Sequence, residues 1–93
     1  MDNRVILKIE DNTISRLAGN QYGRKLYDEQ VKKYFSPGEE LIIVFPETIK
    51  DVAVSFIQGF FKEIVDTIGL QKASAQIKIE GTERVKARIG ENL

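Results

Sequence analysis

Two kinds of apolar pattern alternate along the chain. Val5-Ile6-Leu7-Lys8-Ile9 is a short β-branched run closed by Glu10-Asp11-Asn12, and it predicts a strand. Between Thr13 and Gln21 no period is clear, and Gly19 and Gly23 each weaken a helix by about 1 kcal/mol relative to Ala. From Arg24 the pattern turns helical. Leu26, Tyr27, Val31, Tyr34 and Phe35 fall on one side at about 100° per residue, while Lys25, Asp28, Glu29, Lys32 and Lys33 fill the rest. This predicts a helix from about Gly23 to Phe35, stopped by the turn residues Ser36-Pro37-Gly38. Leu41-Ile42-Ile43-Val44-Phe45 has no polar alternation, the pattern of a central strand covered on both faces, and Pro46 ends it.

The strongest element follows. Ile57, Phe60, Phe61, Ile64, Val65 and Ile68 repeat at the helical period, and Gly69 stands where a helix C-terminus favours positive φ. Ala75-Gln76-Ile77-Lys78-Ile79 alternates like a strand with one wetter face. Gly81 turns the chain, and Thr82 is placed to cap a last short helix carrying Val85 and Ile89, with Gly90 just past it. The order is β-α-β-α-β-α. Strands separated by helices imply parallel pairing through right-handed crossovers, hence an α/β layer fold. No repeat or linker interrupts residues 1–93, which read as one domain.

Composition narrows the chemistry. Residues 1–46 carry seven charges of each sign and so do residues 47–93, so the 14 cations and 14 anions balance locally as well as overall. A dedicated nucleic-acid binder would show a basic excess or stripe. The chain has no Cys and no His, which removes disulfides, thiol nucleophiles, the usual zinc ligands and Ser–His pairs. Met1-Asp2-Asn3-Arg4 lacks the basic and apolar regions of a signal peptide, and no apolar run approaches the roughly 20 residues of a membrane span. The expectation is a cytoplasmic protein that is not an enzyme and needs no cofactor.

Candidate sites are few. Gly19-Asn20-Gln21-Tyr22-Gly23 has the look of a glycine-containing loop before a helix, but no Gly-Lys-Ser/Thr follows it, and a flexible helix entry is the simpler reading. Glu10-Asp11, Asp28-Glu29 and Glu39-Glu40 read as solvated pairs, and the cations near the C-terminus are interleaved with Glu83 and Glu91. The informative place is the start of the helix Phe56–Ile68. Ser55 with Gln58 three residues later has capping-box spacing. Phe56 projects at the margin of the apolar stripe. Gly59 falls away from it, on the side of Ser55, Lys62 and Asp66. A glycine on an exposed helix face weakens the helix and packs nothing, so close approach by another backbone is one reason for it.

The strand Leu41–Phe45, the short loop after it, the Val54-Ser55-Phe56 helix start, Phe60-Phe61 and Gly69 together resemble the STAS-like domains of unknown function. These are small relatives of the STAS domains of bacterial anti-sigma-factor antagonists. The likeness runs from about Arg24 to Ile89. It implies a small α/β fold, a mostly parallel sheet with helices packed mainly on one face. In the antagonists, a Ser at the N-terminus of the helix after the central strand is phosphorylated by an anti-sigma kinase, and the surface around it docks on that kinase. They carry two consecutive serines there and Asp-Phe at the end of the central strand; this chain has Val54-Ser55 and Val44-Phe45. The resemblance therefore implies a non-enzymatic signalling module that switches between protein partners. The partner would be a histidine-kinase-like ATPase or an anti-sigma factor, the candidate phosphorylation site Ser55, and the interface Val54, Ser55, Phe56, Gly59 and Lys62. The alternative from the residues is a small nucleic-acid-binding or antitoxin-like regulator using Lys78, Arg84, Lys86 and Arg88.

Overall fold

Three parallel strands form the sheet: β1 (Asn3–Ile6), β3 (Leu41–Val44) and β5 (Ile77–Glu80), with β3 in the middle. The structure is a computed structural model and describes residues 3–11 and 13–93. Met1 and Asp2, part of the stretch that lacks signal-peptide features, and Asn12, the last residue of the run closing the first predicted strand, lie outside them. The register is even across the sheet. Asn3, Leu41 and Ile77 form one row, and Val5, Ile43 and Ile79 another.

Period-two alternation sorts these strands into two unlike faces. Val5, Leu41, Ile43 and Ile77 turn inward and are buried with the helices. Arg4, Ile6, Ile42, Val44, Lys78 and Glu80 turn outward, where Ile6 is 62% exposed. The expectation that Leu41–Phe45 is covered on both faces is thus corrected. Ile42 and Val44 are only half-buried. The Arg4 guanidinium reaches across β3 to the Glu80 carboxylate at 2.8 Å, so an ion pair between the two outer strands spans the central one.

Among the described residues four α-helices complete the fold, and the buried apolar faces are on the inner side of the sheet. Helix α1 begins at Asn20, ahead of the predicted Gly23. It is α-helical to Leu26, widens into a π turn over Tyr27–Val31 and tightens to a 3₁₀ turn over Lys32–Tyr34. The residues read as a glycine loop therefore form its first turns. Helix α2 runs Val54–Ile68 and ends at Gly69, whose φ of 85° is the left-handed value expected there. Helix α3 (Leu70–Gln76) occupies ground assigned to the start of a strand, so β5 begins two residues later than the alternation suggested. Helix α4 (Glu83–Asn92) follows Thr82, whose hydroxyl accepts from the Val85 amide at 3.3 Å. Gly90 lies inside it, and Val85 and Ile89 are buried.

Two further strands have only two residues each. β2 (Arg16–Leu17) pairs in parallel with β4 (Asp51–Val52), and the Ala53 amide adds a bond to the Leu17 carbonyl at 2.8 Å. Each leads within three residues into a helix, β2 into α1 and β4 into α2. The two helices consequently start side by side.

Candidate functional site

The twin strand–helix units bring α1 and α2 together more closely than side chains would allow. At Gly23, a Cβ would overlap the Phe56 carbonyl oxygen and lie 2.8 Å from the Phe60 nitrogen. At Gly59 it would overlap the Asn20 carbonyl oxygen and lie 2.8 Å from the carbonyl carbon. Neither glycine can be replaced without moving a backbone. Close approach of another backbone is thus the reason for Gly59, but the backbone belongs to α1 of the same chain. Gly59 is buried, not on an exposed face.

Phe56 is corrected with it. Its ring is fully buried, 5.9 Å from Tyr22 and 5.4 Å from Phe60 between ring centres. The buried arc of α2 is wider than the stripe because two bodies cover it, the sheet on one side and α1 on the other. Of the five residues expected at an interface, Val54, Ser55 and Lys62 face water, while Phe56 and Gly59 do not. Gln58 joins the exposed set. At 100° per residue Val54, Gln58, Lys62 and Ser55 share one arc of the helix.

Ser55 does a different job from the one its spacing suggested. The N-cap position is Ala53, and no side chain caps α2. Ser55 lies one turn-position inside, and its Oγ accepts a hydrogen bond from the Gly19 amide at 3.1 Å. Gly19 is the residue before α1. The hydroxyl therefore stitches the starts of two helices together, at a place where both macrodipoles are positive. The surface around it is apolar as well as polar: Val54, the first residue of α2, is 39% exposed. Farther along the helix, Ile57, Phe61 and Val65 with Leu70 and Leu93 line a groove of about 330 Å³ beside Lys62.

A second cluster lies at β4. The Asp51 carboxylate takes the Arg16 Nε on Oδ2 at 3.4 Å, and the Nε atoms of Arg84 and Arg88 on Oδ1 at 3.4 and 3.3 Å. Partial desolvation pushes the Asp51 pKa up, but the Val52 amide and the charges of Arg84 and Arg88 outweigh it and hold it below its ordinary 3.8. One carboxylate thus ties together β2, β4 and α4. Lys86 turns the other way, pairing with Glu83 at 3.1 Å and sharing a shallow groove with Lys78. The four cations of the nucleic-acid reading are therefore split between two places. Sequence reading missed Arg16 and Asp51; the i, i+4 spacing of Arg84 and Arg88 was the available sign of a shared target.

A family model described as a STAS-like domain of unknown function matches residues 22–86. The chain belongs to that family. The match takes in most of α1, all of β3, α2 and β5, and the start of α4, so it includes Ser55, Gly59 and Asp51 but not Gly19, Arg16 or Arg88. The parallel sheet with helices on its inner face agrees with a STAS-like fold. No curated protein and no solved structure matches the chain. Among the described residues of this STAS-like domain, no helix is long and apolar enough to cross a membrane. Nor does any group of three or more acidic residues gather there in a way that could hold a metal ion.

Proposed function

We propose that this STAS-like domain is a non-enzymatic signalling module that binds a protein partner through the start of α2, working in the cytoplasm. The partner class is a histidine-kinase-like ATPase or an anti-sigma factor. The observation that carries the reading is the pairing of an exposed Val54 with an exposed Ser55 whose hydroxyl the Gly19 amide already holds. An apolar residue at water supplies contact area. A fixed hydroxyl between two positive helix ends supplies a modifiable position, because a phosphate adds about −1.5 to −2 charge at pH 7 and the fold there favours anions. The same charge would oppose a partner seated on Val54, since burying it requires a matching cation. The contact surface is Val54, Ser55, Gln58 and Lys62, extending toward the Leu70–Leu93 groove.

The nucleic-acid alternative draws less support. A phosphate-binding stripe needs several uncompensated cations in one place, whereas Arg84 and Arg88 share Asp51 and Lys86 is paired with Glu83. The deciding experiment is calorimetry against the partner captured from the source cell. Ser55→Asp and Val54→Lys are each expected to weaken binding at least about tenfold while leaving the melting temperature within a few degrees of the parent. Parent-like binding by both variants would remove the start of α2 from the interface.

A further inference from the structure

Among the described residues, strand β1 has a neighbour on one side only. In a parallel ladder the N–H and C=O of one residue leave the strand on the same side, and successive residues alternate. The Leu7 amide bonds the Val44 carbonyl at 2.9 Å, so Val5 and Leu7 face β3. Arg4 and Ile6 turn their backbone groups to the open edge, and no hydrogen bond among the described residues uses them. At Lys8 the edge closes. The Gln30 side-chain amide accepts from the Lys8 N–H at 2.7 Å and donates to the Lys8 carbonyl at 2.9 Å, as a neighbouring strand would. What remains among the described residues is the unpaired backbone of Arg4 and Ile6, on either side of Val5, facing a groove of about 420 Å³. Ile6 and Tyr34, 62% and 43% exposed, stand at its sides.

We propose that a second copy of the chain pairs on this edge, β1 against β1 in antiparallel sense, about a two-fold axis through Val5. The two three-stranded sheets become one sheet of six. In this register Arg4 stands opposite Ile6 of the second copy, and Ile6 opposite Arg4. Each of the two pairs exchanges both backbone bonds, and the open groups of both chains are used up. Other two-fold registers fail on charge. Ile6 against Ile6 sets Arg4 against Lys8, a like pair in which the Lys8 backbone is already held by Gln30. Arg4 against Arg4 puts two guanidiniums face to face. An edge with two open residues, one apolar and one cationic, thus matches itself in one way. The surface at the start of α2 contributes nothing to this contact.

Sedimentation of the full chain between about 10 µM and about 1 mM tests it, since a contact this small gives weak association. The weight-average mass should climb from 10.6 kDa toward twice that value. Ile6→Pro removes one open N–H and nothing the monomer bonds, and proline is tolerated on an outward-facing edge. It should weaken the dimer at least about tenfold with the melt of the dilute protein retained. Should that variant fail to fold, Ile6→Lys sets a second cation against Arg4 and should give the same loss, whereas Ser55→Asp should leave the dimer intact. A chain that stays monomeric over the whole range overturns the proposal. So does a dimer that neither Ile6 variant weakens.

Discussion

A hydrogen atom is all that fits on Cα at Gly59, because the Asn20 carbonyl occupies the space a methyl would take. Gly59→Ala should therefore cost about 3 kcal/mol or more, at the upper end for overpacking because backbone rather than side chain must yield. That is a large share of a small domain's stability, and urea denaturation would read it directly. Recovery of parent-like stability would mean the two helices cross elsewhere. The sequence carried part of this. A glycine in mid-helix signalled a close backbone approach, but periodicity gives only the phase of a residue around its helix. It cannot say which neighbour stands there, so the sequence alone points Gly59 and Phe56 toward a partner's surface, whereas α1 of the same chain covers them. Ser55 was misread for a local reason. The Ser-x-x-Gln spacing is real, but pairing of Ala53 with Leu17 starts α2 at Val54, which puts the hydroxyl inside the helix and free to receive Gly19.

Elements with a long period were legible, and elements held by a few tertiary bonds were not. The stripe of α2, the Thr82 cap of α4 and the apolar run of β3 are each written in the order of residues. Two-residue strands have no period to read, so β2 and β4 were invisible, and with them the cluster on Asp51. Helix α3 was hidden because Ala75-Gln76-Ile77 alternates across the junction between a helix end and a strand start. The Asp51 cluster has a pH signature. Its folded pKa lies below the unfolded value of 3.8, so the stabilisation is fully present above that value and is lost as pH falls through the folded pKa. Asp51→Asn should lower the melting temperature by a few degrees at pH 7, and the gap to the parent should close in strong acid. A gap that stays constant down to pH of about 2 would show that the ion pairs to Arg16, Arg84 and Arg88 add nothing, as is common for exposed pairs.

For the molecule as a whole, the expected α/β class and the parallel pairing stand in the structure because both follow from the alternation of strand and helix, while the helices on one face follow only from the resemblance to the STAS-like domains. The half-covered outer face did not follow from the residue pattern. Five apolar residues in a row suggest two covers, and here the second cover is an ion pair whose members are far apart in sequence, Arg4 and Glu80. Such a contact leaves no mark on local pattern. Gln30 is similar: a polar residue on a helix face is ordinary in sequence and gains its meaning only where it meets Lys8.

A strand with one neighbour also has its own clock. Local opening frees the least-supported backbone first, and β1 is supported from one side where β3 is supported from two. In dilute protein, amide exchange should be slowest at Ile43 and faster at Val5 and Leu7. At Arg4 and Ile6, whose amides point away from β3, it should approach the rate of an open chain. The protection pattern from Arg4 to Leu7 would then alternate residue by residue, fast and slow, although Arg4, Val5 and Ile6 belong to one strand and Leu7 directly follows it. Uniform protection along β1 would place a partner on its free edge even at low concentration. In that case the monomer would be the minor species, and the slowest exchange would report dissociation of two chains as well as the unfolding of one.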